Sequence, residues 1–301
     1  MIAITGATGF VGQSLLDRAA EAGIEVRALA RKLQQKRKGV DWVGGDLGDT
    51  QALDRLCAGA EAIIHVAGVV NAPDRAGFEE GNVVGTLNVI EAARNAGIRR
   101  IIFVSSLSAR EPELSAYGHS KARAEKLIKA SGLDWTIVRP PAIYGPRDRE
   151  MFELFRTAKW GVIPTPKDGK ASLIHVDDLA RLLLALLPGS EGISHRIFEP
   201  DDGKRGGWSH YELARAIGWA VGKRPRVLGL SRKTMEMAAK ADAMFRGKRA
   251  KLTLDRVGYF CHPDWVVSHG ARVPSTLWRP RIETREGLRS TAQWYRSEGW
   301  L

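Results

Sequence analysis

The sequence predicts an α/β protein: a doubly wound parallel sheet with a small mixed region towards the C-terminal end. Three observations predict it. The chain opens on a short apolar strand that runs directly into a glycine turn and an amphipathic helix. Strand-like and helix-like segments then alternate through the first 140 residues, the order that builds a parallel sheet. After Gly189 the alternation loosens and the charge turns basic, which sets a boundary near residue 180 between residues 1–180 and 181–301.

The opening run is Met1-Ile2-Ala3-Ile4-Thr5-Gly6-Ala7-Thr8-Gly9-Phe10-Val11-Gly12. A helix is predicted from Val11 to Ala22, with Val11, Leu15, Leu16 and Ala19 at helical spacing. Strand, glycine turn and helix in this order form the first unit of a Rossmann-type fold. Gly6 permits the tight turn, Gly9 lets backbone approach a pyrophosphate, and Gly12 lets helix and strand pack closely. The first helical N–H groups, at Phe10 and Val11, then face phosphate charge together with Thr8. The spacing is Gly-x-x-Gly-x-x-Gly, and its position directly after an N-terminal strand is what makes it informative.

Each later element follows from its own pattern. Glu25 to Ala30 reads as a second strand and ends in Arg31-Lys32, where NAD enzymes often carry an acid for the ribose 2′-hydroxyl. Two cations there suit a 2′-phosphate, so NADP(H) is the preferred cofactor and NAD(H) the alternative. Val40 to Val43 is a third strand, closed by Gly45-Asp46-Leu47, and Thr50 to Cys57 a short helix. Ala62 to Ala67 is an apolar fourth strand whose Ala67-Gly68 end leaves room for a flat ring. Phe78 to Ala96 reads as one long helix, Ile101 to Ser105 as the fifth strand and Trp135 to Arg139 as the sixth. Ser172 to His175 precedes a helix capped by Asp177 and running to Leu187, and Ser209 caps a helix to Val221.

Tyr117 and Lys121 stand four apart, hence on one helical face. An ammonium beside a phenol favours the phenolate, so the Tyr can exchange a proton with a carbonyl or alcohol oxygen. Ser106, at the end of the fifth strand, is placed to hold that oxygen. Tyr-x-x-x-Lys alone is a common accident; its position downstream of the glycine turn and after Ser105-Ser106 gives it weight. His119 points elsewhere and is read as structural, and His175 beside Asp177 and Asp178 as cap and core, with no metal expected.

Composition bounds the rest. Of 301 residues, 44% are hydrophobic and 27% charged, as in a globular chain. No signal peptide is expected ahead of a first strand that begins at Met1. The longest apolar run, Leu179 to Pro188, is broken by Arg181 and too short to span a bilayer. Cys57 and Cys261 stand alone, as small buried hydrophobes in a reducing cytoplasm. The net charge of +12 is concentrated: residues 201–301 hold 20 Lys/Arg against 10 Asp/Glu, whereas residues 1–200 are nearly neutral. Lys223 to Arg256 carries 11 basic against three acidic side chains, interleaved with Leu228, Leu230, Met235, Met237, Met244 and Phe245. Two readings fit: a peripheral contact with an anionic membrane surface, or a cap whose apolar groups pack inward while its charges stay wet. No nucleic-acid partner is expected. Trp265, Trp278, Trp294 and Trp300 mark the C-terminal arm, as core or as interface.

Taken together, the glycine turn, Gly45-Asp46-Leu47, His65-Val66-Ala67-Gly68, Asn82 to Val89, Val104-Ser105-Ser106, Tyr117 to Lys121, Arg139-Pro140, Tyr144-Gly145-Pro146 and His175 to Asp178 resemble the extended branch of the short-chain dehydrogenase/reductase superfamily, the epimerase/dehydratase-like group. The resemblance covers residues 1–180. It implies a dinucleotide-binding domain there with Ser106, Tyr117 and Lys121 as the catalytic set, Ser108 being a nearby substitute for Ser106. It further implies that Asp46 and Leu47 sit by the adenine, Ala67 and Gly68 along the adenosine side, Pro140 to Ile143 by the nicotinamide, and that Lys121 holds the nicotinamide ribose. Residues 181–301 would form the substrate-binding cap. Sugar-nucleotide members often have Asn where this chain has Ala142, which brings it closer to subgroups resembling hydroxysteroid dehydrogenases and dihydroflavonol reductases. Ser105 through Glu111-Pro112 to Tyr117 also resembles the subgroup of the accessory dinucleotide-binding subunit of complex I, and bacterial reductases of 3-keto-sphingoid lipids. The expected activity is reduction of a ketone on a hydrophobic, lipid-like substrate such as a 3-keto-sphingoid or ketoceramide. The alternatives are a nucleotide-sugar epimerase or dehydratase with retained NAD, and a non-catalytic, cofactor-bound assembly protein.

Overall fold

The structure is a computed structural model and describes residues 1–247, 250 and 252–301. Its elements, in chain order, are β1 (Ile2–Thr5), α1 (Phe10–Glu21), β2 (Val26–Ala30), β3 (Val40–Gly44), α2 (Thr50–Cys57), β4 (Ala62–His65), α3 (Arg75–Phe78), α4 (Gly85–Asn95), β5 (Arg100–Val104), α5 (Ala116–Ala130), β6 (Asp134–Val138), β7 (Ala142–Tyr144), α6 (Phe152–Lys159), β8 (Val162–Pro166), β9 (Lys170–Ala171), β10 (Leu173–His175), α7 (Val176–Ala185), β11 (Arg196–Phe198), β12 (Trp208–Ser209), α8 (His210–Ala220), β13 (Arg226–Leu230), α9 (Arg232–Arg246), α10 (Leu254–Phe260), β14 (Asp264–Trp265) and α11 (Thr284–Ser297). They fall into two compact units. The first is residues 1–140, 177–199 and 273–278; the second is 141–176, 200–272 and 279–301. The chain therefore interleaves the units and does not change over once near residue 180.

The first unit is built on a parallel sheet that has seven strands among the described residues, in the order β11-β6-β5-β4-β1-β2-β3. Its strands are short apolar runs because both faces are covered. Ala3, Ile63, Ile101, Phe103 and Ile137 share one face with Leu53 and Leu56 of α2, Ile90 and Ala93 of α4, and Ala124 and Ile128 of α5. The alternate residues Ile2, Ile4, Ile64 and Ile102, equally buried, point to the other face. Leu15 and Leu16 of α1 and Leu179, Leu182 and Leu183 of α7 are buried as well. The strand order reverses at β1, with β4 on one side and β2 on the other, which opens a crevice at the carboxyl ends.

Three expectations need correction here. The helix expected over 78–96 is α3 and α4 joined by a π-helical turn, Glu79–Val84, which places Asn82 inside the fold. Asp177 lies in the first turn of α7 and accepts the Ser14 hydroxyl of α1. The last sheet strand, β11, comes after Gly189, in the stretch read as loose.

The second unit carries small sheets: β10 with β7, β13 with β8, and β12-β9-β14. Its core joins Tyr144, Phe155, Ile163, Leu213, Ile217, Leu288, Ala292 and Tyr295. Phe152, Trp294 and Trp300 close around Tyr295, whose hydroxyl donates to the Asp148 carbonyl at 2.7 Å. Ser209 forms a full capping box with Glu212 at the start of α8, as its position predicted. Trp278, in the first unit, is buried and donates to the Asp178 carbonyl at 3.1 Å. A satellite cluster of Met235, Ala239 and Val257 holds α9 to α10. Lys248, Arg249 and Lys251, part of the basic segment 223–256, lie outside the described residues. Among the described residues no helix is long and apolar enough to cross a membrane.

Candidate active site

The site grows from the carboxyl ends of β1, β4 and β5. At β1, Gly6 has φ +73°, and a Cβ there would come 2.6 Å from the Ala67 nitrogen. Gly12 is tighter still: a Cβ would overlap the Gly6 carbonyl oxygen, so only glycine lets α1 start where it does. Thr8 and Gly9 are exposed on the turn, with Phe10 and Val11 half-buried behind them. No side chain caps α1 and no acid stands in its first turn. Its leading N–H groups are thus left for an anion.

After β4 the chain runs through Ala67 and Gly68. Asn82 fixes this loop, accepting from the Val69 nitrogen at 2.7 Å and donating to the Val69 carbonyl at 2.9 Å. It also donates to Ser120 at 2.9 Å, and Ser120 donates to the Tyr117 carbonyl at 2.8 Å. His65 lies beneath, between Thr5 at 2.6 Å and Thr86 at 3.0 Å. Burial, with Lys121 nearby, pushes its imidazole down to about 3, so it is neutral.

At β5, Ser106 is extended and its Oγ lies 2.7 Å from the Ser108 hydroxyl, so the two serines form one polar pair. Ser115 caps α5 by accepting from the Gly118 nitrogen at 2.9 Å. A Cβ at Gly118 would come 2.6 Å from the Ser108 carbonyl, so this glycine lets the helix lie against the serine loop. Tyr117 is half-buried, its ring 6.1 Å from that of Phe78. Lys121 is buried; its Nζ donates to the Val104 carbonyl at 2.8 Å and sits 4.3 Å from the Phe103 ring centre. Burial pulls its ammonium down to about 8, against the opposing pull of Glu125. At neutral pH it keeps its proton. One turn further on, buried Glu125 accepts from Ser105 at 2.6 Å and from Nε and Nη2 of Arg139 at 2.8 and 2.7 Å. This fork ties α5 to the ends of β5 and β6.

The structure thus brings together the glycine turn, Ala67-Gly68, the Ser106/Ser108 pair and Lys121: a Cβ on Gly68 would lie 3.6 Å from the Lys121 Nζ. Arg31 is exposed at the end of β2, while Arg37, in the Lys36-Arg37-Lys38 loop between β2 and β3, is already paired with Asp17 at 2.7 Å. Asp46 is exposed and closes its own turn on Gly48 at 2.9 Å, and Leu47 packs where a Cβ on Gly85 would stand. Pro140 is buried and its carbonyl accepts from Leu107 at 3.0 Å. Ile143 belongs to the second unit, on β7, paired with Ile174 of β10. Sequence reasoning assigned no role to Asn82, Gly118 or Glu125. Their signals were a polar residue in an apolar helical run, a glycine inside a helix start, and an acid four residues after Lys121 on the same face. These residues fit a nicotinamide dinucleotide: a glycine cradle closed to any Cβ, an uncapped helix start for the pyrophosphate, and a buried ammonium beside the Gly68 loop.

Fold and site together define an NAD(P)-dependent enzyme. Residues 6–188 match the NAD(P)H-binding family model. The chain belongs to that family, has the fold of the extended short-chain dehydrogenases/reductases, and is an NAD(P)-dependent reductase. It is 37% identical to a protein of Caulobacter vibrioides named ceramide reductase, over 100% of this chain and 96% of that one. It is 30% identical to 2-alkyl-3-oxoalkanoate reductase of Stenotrophomonas maltophilia, over 96% of this chain and 97% of that one. Among solved structures it resembles a UDP-glucose 4-epimerase of Thermus thermophilus in complex with NAD, at TM-score 0.71 and 23% identity over 98% of each chain, a likeness of fold. The resemblance to the complex I subunit finds no support in these relatives.

Proposed function

We propose that the protein is an NADPH-dependent reductase of a ketone carried on a long-chain lipid, ceramide-like in kind, with Ser106, Tyr117 and Lys121 as its catalytic residues. The observation that carries this reading is the buried Lys121, one turn beyond Tyr117 on α5, its Nζ on the Val104 carbonyl at the end of the strand that leads to Ser106. A reduced nicotinamide, held by the glycine turn and the Gly68 loop, would supply the hydride for the carbonyl carbon. Ser106 donates to the carbonyl oxygen and holds it in place, with Ser108 orienting its hydroxyl. Tyr117 gives that oxygen a proton as charge develops, and the Lys121 ammonium stabilises the phenolate left behind. Glu125 and Arg139 hold α5 so that both side chains keep their aim.

The lipid ketone is supported by the names of the two full-length relatives and by Ala142, which offers no hydrogen bond where sugar-nucleotide enzymes often present Asn. NADPH is supported by exposed Arg31, which suits a 2′-phosphate. The test is NADPH oxidation by the purified protein offered a ketoceramide, a short 3-oxo ester and a UDP-sugar. Turnover of the ketoceramide with exchangeable NADPH is expected. Turnover of the UDP-sugar with NAD retained through the cycle would replace this reading with an epimerase.

A further inference from the structure

Helix α9 has two apolar faces. Met235 and Ala239, four apart, are buried against Val257 of α10, with Leu230, Leu252 and Cys261 packed around them. Two positions further round stands a second stripe: Met237, Ala241, Met244 and Phe245, at the i, i+4, i+7 and i+8 spacing of one helical face. Met237 is 72% exposed, Met244 76% and Phe245 81%. Three large apolar side chains in one exposed row are not the scattered singles of an ordinary surface. Lys233 and Lys240 lie on the same side of the helix as Met237 and Met244, and neither has a carboxylate partner among the described residues. The other cations of the helix are spent locally, Arg232 on Glu236 at 2.9 Å and Arg246 on Asp242 at 3.2 Å.

We infer that this outward stripe is a docking face for an anionic lipid surface: Met237, Met244 and Phe245 enter the interfacial zone while Lys233 and Lys240 meet the headgroups. Charge selects the occupant. A second copy of the chain would set like-charged stripes against each other, whereas an anionic leaflet complements both the lysines and the net charge of +12. Met235 takes no part, because the satellite core already holds it. The inference goes beyond the proposed reaction and does not depend on it, since docking needs neither cofactor nor ketone.

Co-sedimentation of the full-length protein with vesicles tests it, using phosphatidylcholine alone and phosphatidylcholine mixed with phosphatidylglycerol. Binding is expected on the mixed vesicles only and should fall as salt rises. The triple change Met237→Ser, Met244→Ser and Phe245→Ser should weaken it by about tenfold or more, and Lys233→Glu with Lys240→Glu should do the same. Melting curves and NADPH binding check that the variants fold. If the triple variant does not, Met244→Glu alone, at a position open to solvent, carries the test. No binding to mixed vesicles at low salt, equal binding to both vesicles, or binding untouched by these changes would overturn the inference. A triple variant that loses self-association yet keeps vesicle binding would instead assign the stripe to a contact between copies.

Discussion

Lys121 is the most constrained residue of the site, because a charge is held where no water reaches it. Its ammonium lies on the Val104 carbonyl and over Phe103, and burial outweighs Glu125 in setting its proton affinity. The folded protein therefore binds this proton less tightly than the unfolded chain. Stability assigned to the side chain should rise with pH between about 8 and the ordinary Lys value of 10.5. Urea unfolding of the cofactor-free protein should then find Lys121→Met ahead of the wild type at pH 7, with the gap closing above pH 8. A gap independent of pH would mean the ammonium is not desolvated. Tyr117→Phe should cost turnover on the order of 10²–10⁴-fold, more if no water replaces the phenol, while NADPH binding stays nearly intact. A mutant with wild-type rates would place the proton donor elsewhere. At the adenosine end, Arg31→Asp should invert the cofactor preference towards NADH, since a carboxylate repels a 2′-phosphate and accepts from a 2′-hydroxyl. Unchanged relative affinities for the two cofactors would remove Arg31 from the site.

At the scale of elements, the helices and strands legible in the sequence were those whose pattern is local. β1, α1, β2, β3, α2, β5, β6 and α8 fall within a residue or two of their expected places, because apolar runs and punctuating glycines decide them. The π-helical turn before α4 was not legible: within it Asn82 bonds Val69 and Ser120, partners that only the fold brings near. For the same reason Ser14 and Asp177, 163 residues apart, could not be paired in advance. The glycine turn was legible in kind, though the closeness of its packing was not. Gly12→Ala puts a methyl onto the Gly6 carbonyl, which neither β1 nor α1 can yield without moving the turn. It should cost about 1–3 kcal/mol of stability and weaken NADPH binding, while Gly23→Ala, at a positive φ with open space around it, should cost stability and leave binding unchanged. Melting curves and cofactor titrations on both variants separate the two effects, and equal loss of NADPH affinity in both would refute a special role for the Gly12 contact.

At the scale of the molecule, the sequence placed one boundary near residue 180, and the structure replaces it with interleaved units. The misplacement has a physical cause. β11 is three residues long, too short to show a period, and its right to a place in the sheet comes from pairing with β6. α7 likewise continues past residue 180, with Leu182 and Leu183, and Leu186 just past its end, fully buried, and each such side chain contributes about 1.5–3 kcal/mol by leaving water. Its end is held by buried Arg100, whose guanidinium donates to the Leu186 carbonyl at 2.6 Å and to Thr136 at 2.7 Å, satisfying backbone that a helix end leaves unpaired. A fragment cut after residue 180 strips β6 of β11, one of its two partner strands, removes those leucines and deprives Arg100 of the Leu186 and Leu187 carbonyls. A fragment cut after residue 199 restores all three, and both fragments carry residues 141–176, so that segment does not distinguish them. The longer fragment should give more soluble protein, a higher melting temperature and measurable NADPH binding, whereas the shorter one should aggregate through its open β6 edge. Equal solubility and equal melting of the two would mean that the second half of α7 and β11 add nothing to the first unit, and that the boundary near 180 was sound.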